Sequence, residues 1–87
     1  MIVIDLGNTN LVLGIYINGR LNKTFRINIE NDKITKEKKI INFFRSKQKF
    51  LKQADNYICV LSSVVPSINL VIKNYFIKNK FKFYNIN

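Results

Sequence analysis

No histidine occurs among the 87 residues, so serine-histidine-aspartate and cysteine-histidine catalysis are excluded, as is a zinc site built on imidazole. The single cysteine, Cys59, rules out an internal disulfide and fits a reducing compartment. It lies inside the apolar run Tyr57-Ile58-Cys59-Val60-Leu61 and reads as core rather than as a nucleophile. Acidic residues are scarce, 5 against 15 Lys and Arg, leaving a net charge of +10. Such a balance would ordinarily point to nucleic acid. Lysine, however, outnumbers arginine twelve to three, and Ile, Asn, Phe and Tyr are abundant, which is the bias of AT-rich codons. Dispersed lysine gives a diffuse field, whereas specific recognition favours arginine at fixed positions. Nucleic acid is therefore not expected as a partner. Asp5 interrupts the first apolar stretch and no basic region precedes it. Neither a secretion signal nor a membrane span is expected, and the reading is cytoplasmic.

What is present suffices for one small α/β domain over residues 1–87. A chain of this length buries only about two-thirds of its unfolded surface, so its stability is marginal unless it packs well. Hydrophobic residues at 47% and aromatics at 13% nevertheless supply a core. Residues 2–6 read as a buried strand and 11–17 as its neighbour, with Asn18-Gly19 as a type I′ hairpin signal. Residues 20–29 alternate, with Leu21, Phe25, Ile27 and Ile29 on one side. Glu30-Asn31-Asp32-Lys33 is a polar loop, Thr35 is the expected N-cap, and 36–54 carry one helical face through Ile40, Phe43, Phe44, Phe50, Leu51 and Ala54. Residues 56–62 read as a strand buried on both sides. Pro66 opens a second helix to about Asn79, and 80–86 form a weak last strand. The expected order is βββαβαβ.

The run Ile2-Val3-Ile4-Asp5-Leu6-Gly7-Asn8-Thr9-Asn10 ends an apolar strand on a carboxylate and turns through small polar residues. Gly7 removes a Cβ that would block close backbone approach, and Asn8, Thr9 and Asn10 offer donors at a tight turn. A carboxylate and a phosphate repel, so Asp5 at such a turn implies magnesium or its water shell between them. A plain hairpin turn is the alternative, since Asp, Gly and Asn are common there for local reasons.

Asp5-Leu6-Gly7-Asn8-Thr9-Asn10, followed by Val12-Leu13-Gly14, resembles the first phosphate motif of type III pantothenate kinases, members of the acetate and sugar kinase, heat-shock 70 and actin superfamily. Leu61-Ser62-Ser63-Val64-Val65-Pro66 resembles a second signature of those kinases at a comparable spacing. The resemblance covers nearly all of this chain but only the opening part of a complete kinase. It implies an incomplete ribonuclease H-like, actin-like ATPase unit without a second domain. It further implies that ATP phosphates lie against the loop of residues 5–12. Asp5 would orient magnesium through water, Gly7 would admit the phosphates, and Asn8, Thr9 and Asn10 would donate hydrogen bonds. Leu6 lies within the same phosphate loop, and Leu11 and Val12 would contribute only backbone and packing. Ser62 and Ser63 would border the active site, although either could simply cap the following helix.

The same resemblance places the general-base aspartate in a later Gly-any-Asp-Arg segment that nothing here matches, so no catalytic residue is assigned in this chain. The adenine-binding half, a monovalent-cation site for K+ or NH4+, and most of a homodimer surface would also lie beyond residue 87. Residues 31–37 depart from the family's acidic, arginine-containing stretch, which puts substrate contacts near Arg26 and Thr35 in doubt. The reading is the amino-terminal portion of an ATP-dependent kinase that phosphorylates pantothenate in coenzyme A synthesis, inactive as this chain alone. A non-catalytic relative of the Bvg accessory factor type and a basic nucleic-acid-binding module are the alternatives. The chain alone is expected to leave the helix face of Ile68, Val71, Ile72, Tyr75 and Phe76 bare, along with the edge of residues 80–86, and so to be marginally stable or to associate.

Overall fold

Short β-branched runs pair more readily as strands than they close a helical stripe, and the first third of the chain folds accordingly. In the computed structural model, which describes residues 1–30 and 32–86, β1 (Ile2–Leu6), β2 (Asn10–Ile17) and β3 (Arg20–Asn28) form an antiparallel meander. Asn31, expected in the polar loop, lies outside the described residues. The β2–β3 turn has φ of 53° at Asn18 and 74° at Gly19, the two positive values a type I′ turn requires. Asp55 holds that turn from across the molecule. Its Oδ2 accepts the Gly19 N–H at 3.0 Å, and hydrogen bonds from the Asn18 and Gly19 amides hold its carboxyl below the usual carboxylate range. The Met1 ammonium donates to the carbonyls of Tyr16 and Asp55 at 3.0 and 2.9 Å, closing the same corner.

After the meander come α1 (Lys33–Ser46), the single-turn α2 (Gln48–Leu51), β4 (Ile58–Ser63), α3 (Pro66–Lys78) and β5 (Lys82–Asn85). β4 pairs parallel to β1 and β5 parallel to β4, giving a mixed five-stranded sheet in the order β3-β2-β1-β4-β5. Pro66 occupies the first turn of α3, where its missing N–H costs nothing.

The helical region differs from the expectation in two ways. Asp32, not Thr35, caps α1. Asp32 Oδ1 accepts the Thr35 N–H at 3.1 Å and Oδ2 accepts the Thr35 hydroxyl at 2.9 Å, so the helix starts a turn earlier than its apolar stripe. The expected single helix over 36–54 is also broken. Lys47 leaves helical geometry at φ −104°, ψ 8°. Just before it, the Ser46 hydroxyl donates to the Phe43 carbonyl at 2.6 Å, a local bond that competes with the helix ladder. The break lets Phe50 reach Phe25, 5.3 Å between ring centres, and drops Leu51 into the core.

Alternation along the strands then fixes the layers. Ile2, Ile4, Leu6, Leu11, Leu13, Ile15, Cys59 and Leu61 form one buried cluster with Ile40, Phe44, Ile68, Ile72 and Phe76 of the helices. Both long helices therefore cover the same face of the sheet. Two expectations fall with this. β4 is buried on one side only, its residues Ile58, Val60 and Ser62 being half-buried on the other. The apolar face of α3 is not bare either, since Ile68, Ile72 and Phe76 are fully buried. The uncovered surface is the opposite sheet face, which carries Val3, Val12, Tyr16 and Val60. Leu21 and Tyr84 are also exposed, at 54% and 52%. Leu21 was expected inward. A bulge between Ile15 and Tyr16, which pair with Lys23 and Leu21, shifts the register and turns Leu21 onto the open face beside Gly14.

Phe44 is the packing centre, with ring centres of Phe76 and Tyr75 at 5.0 and 5.2 Å. Phe44→Ala should cost about 3–5 kcal/mol, a large share of a small domain's stability. Urea denaturation that shows a loss below about 1 kcal/mol would refute this placement. The acid limb follows from Asp32 and Asp55, whose pKa values are both lowered in the fold. Their contribution is complete above the ordinary carboxylate pKa of about 4 and is lost as pH falls through the depressed values. Asp55→Asn should therefore shrink the difference between urea midpoints at pH 6 and pH 3; an undiminished difference would remove Asp55 from the account.

Candidate phosphate-binding loop

The strand-to-turn run that begins the chain is brought against the second sequence motif by parallel pairing. In the β1–β4 register Asp5 lies beside Ser62 and Leu6 beside Ser63, and the Val64 N–H donates to the Leu6 carbonyl at 3.0 Å. Both strands thus deliver their carboxyl ends, where open α/β sheets hold ligands, to one edge. Between β1 and β2 the chain turns tightly, the Gly7 N–H donating to the Asn10 carbonyl at 2.9 Å. The Asn10 amide donates to Thr9 Oγ1 at 3.0 Å, and the Ile29 N–H donates to the Thr9 carbonyl at 2.9 Å, tying the loop to the end of β3. Asn8 and Thr9 are exposed, and their backbone N–H groups meet no partner among the described residues.

Gly7 is informative because the fold does not demand it. Its φ is not positive, and a Cβ there would meet only the Asn10 carbonyl oxygen at 3.6 Å, an ordinary contact. Gly19, by contrast, is required by its turn. Leu6 and Leu11 are buried and Val12 is half-buried, so their side chains pack against the sheet's neighbours.

The two serines separate. Ser63 is buried, and its Oγ accepts the Val65 N–H at 3.0 Å, bracing the start of α3. Ser62 is half-buried on the open face beside Asp5. Asp5 is itself exposed between Val12 and Ser62, and Val12 pairs with Arg26. One row across the open face therefore runs Arg26, Val12, Asp5, Ser62. Lys36, from the first turn of α1, brings Nζ within 3.5 Å of the Asn8 carbonyl. In the sequence, Arg26 enters only beside substrate contacts that the departure of residues 31–37 puts in doubt, and Lys36 as one lysine among twelve.

Among the described residues no three of His, Cys, Asp and Glu come together. A divalent ion at this loop would thus be held by the Asp5 carboxylate, with water and ligand phosphates completing its shell. That donor set suits Mg2+, which keeps several waters and takes one or two carboxylates. Cys59 contributes nothing here. It is fully buried, and burial pushes its thiol pKa up.

A loop with one carboxylate, one unconstrained glycine and unpaired amides, at the edge where the parallel strands β1 and β4 end, offers groups that could receive a phosphate-bearing ligand. The sequence model of the type III pantothenate kinase family matches residues 1–86, and the chain belongs to that family. It is 40% identical over 87 residues to the type III pantothenate kinase of Fusobacterium nucleatum, covering 94% of this chain and 32% of that protein. Against the Mycoplasma mobile enzyme of the same name it is 40% identical over 72 residues, covering 83% and 27%. For that of Geobacter sulfurreducens the figures are 39% over 75 residues, 84% and 29%. The chain thus spans roughly a third of the length of these curated relatives. Among the described residues no helix is long and apolar enough to cross a membrane.

Because the fold does not need Gly7, Gly7→Ala should leave the thermal midpoint unchanged or slightly raised, by the few tenths of a kcal/mol to about 1 that Gly→Ala gives at a compatible site. A drop of several degrees would show that the glycine serves the turn and not an approaching group.

Proposed function

We propose that residues 5–12 form the ATP phosphate loop of a type III pantothenate kinase, and that this chain is the amino-terminal portion of such an enzyme. In its complete form the enzyme transfers the γ-phosphate of ATP to pantothenate, the first step of coenzyme A synthesis. The observation that carries the reading is the adjacency of Asp5 and Ser62 at the edge where an unconstrained glycine opens the loop. Phosphoryl transfer rests mainly on positioning and charge neutralisation, and the groups gathered here are of that kind. Asp5 would hold Mg2+ through water. The Asn8 and Thr9 amides and the Asn10 side chain would donate to phosphate oxygens, and Ser62 would border the metal's waters. When bound, Mg2+ would offset charge on the terminal phosphates.

The finer fold assignment belongs to the same reading. The sheet order β3-β2-β1-β4-β5, with antiparallel β1–β3 and parallel β4 and β5, supports a ribonuclease H-like, actin-like unit. A K+ or NH4+ site, a homodimer and a cytoplasmic setting accompany this proposal by family likeness alone. The Bvg-type and nucleic-acid-binding readings are not favoured, since the relatives named above are kinases.

The general base is not among these residues, so the 87-residue chain should show no ATP-dependent phosphorylation of pantothenate in a coupled assay. Magnesium and ADP should still shift the backbone amide resonances of residues 7–10, and Asp5→Asn should abolish the magnesium dependence of that shift. In an assembly with the remainder of the kinase, Asp5→Asn should lower kcat by roughly two to three powers of ten with the fold intact. Unchanged turnover in that variant would reject the assignment.

A further inference from the structure

The cations around the α1–α2 break divide into two sets. Lys47 lies over the rings of Phe25 and Phe43 at 4.4 and 5.8 Å, and Lys23 and Lys49 lie over Phe50 at 5.4 and 5.8 Å. These three are held by aromatic faces. Arg45, Lys52 and Lys78 instead line a groove of about 420 Å³ with Gln48, Tyr75 and Asn79. No carboxylate lines the groove, and none of its three cations has an acidic partner among the described residues.

The polar floor of the groove is fixed. The Tyr75 hydroxyl donates to Gln48 Oε1 at 2.6 Å, Gln48 Nε2 donates to Asn79 Oδ1 at 3.3 Å, and Asn79 Nδ2 donates to the Tyr75 carbonyl at 2.7 Å. This closed set joins α2 to the end of α3 and engages both side-chain amide oxygens of the floor. Arg45 and Lys78 each stand in the last turn of a helix, where the carbonyl ends favour a positive charge. That accounts for one cation per helix. Lys52 is the C-cap of α2, whose single turn carries little dipole, and helix ends do not account for the convergence of all three in one concavity, where like charges repel unless an anion lies between them.

We propose that this groove binds a compact phosphoryl polyanion, of the pyrophosphate or triphosphate class, at a site separate from the loop of residues 5–12. The loop adjoins the first turn of α3 and the groove its last, about 20 Å apart along a thirteen-residue helix. Convergence on one pocket suits a small anion. A nucleic-acid backbone would call for a stripe of cations along the surface.

The test is a calorimetric and NMR titration of the 87-residue chain with pyrophosphate and with tripolyphosphate. The variants are Arg45→Gln, Lys52→Gln and Lys78→Gln, with Lys33→Gln and Lys82→Gln as charge-matched controls outside the groove. The expected result is saturable binding that weakens about tenfold with each groove variant, as for loss of one charge-assisted hydrogen bond, and by less than about twofold with the controls. The Tyr75 ring and Gln48 side-chain amide signals should move. Equal losses in the controls, perturbations confined to residues 7–10, or no saturable binding would each overturn the proposal. Adenosine without phosphates should compete in neither titration; competition by it would move the recognition from phosphate to the base.

Discussion

The parallel pairing of β1 with β4 puts Asp5 beside Ser62 and Leu6 beside Ser63, and parallel neighbours can be joined only by a chain that crosses over one face of the sheet. That crossover is the segment holding α1 and α2. Its cost in chain entropy is offset where Ile40, Phe44 and Leu51 enter the core. Were the register to slip by one residue, Cys59 and Leu61 would turn outward, and the carboxylate would lose its serine neighbour. Packing of the crossover and assembly of the candidate site are therefore one event. The crossover's core residues, Phe44 among them, lie far from the loop in sequence.

Covering one face has a consequence for the other. Alternation leaves Val3, Val12, Tyr16 and Val60 on the side that no helix reaches, with Leu21 beside them. Asp5 shares this side. A carboxylate on this open face is exposed to solvent and within reach of a hydrated cation, whereas the helix-covered face is closed to both. The exposure of Asp5 follows from its odd position in β1, whose even positions supply the core.

Period-2 and period-3.6 patterns made the meander, α3 and the existence of a helix over the forties legible in the sequence. What it hid arises from pairwise contacts that no single-chain period encodes. The helix break at Lys47 serves a ring contact between Phe50 and Phe25, and the inversion of Leu21 comes from a bulge. The cap at Asp32 was hidden because the helix begins a turn before its apolar stripe does. At the candidate loop, Asp5, Gly7 and Ser62 stand out in the sequence by residue type and motif, and the parallel register brings Asp5 beside Ser62. The placement of Arg26 across from Val12 and of Lys36 beside Asn8 was not legible, because it rests on cross-strand register and on a helix start one turn earlier than its apolar pattern suggested.

The three glycines separate folding requirements from other ones. Gly19 sits at φ 74° with an aspartate from another element bonded to its amide, so the turn itself explains it. Gly14 is buried on the open face, where a Cβ would press Leu21 Cδ1 at 3.3 Å, so packing explains it. Gly7 has neither constraint, yet it stands between the carboxylate and the two outward amides. A position that tolerates a side chain but carries none, beside exposed amides without a partner among the described residues, is what the proposed approach of a group from outside would require. A phosphate group accompanied by a hydrated cation meets the requirements of the glycine, the amides and the carboxylate together.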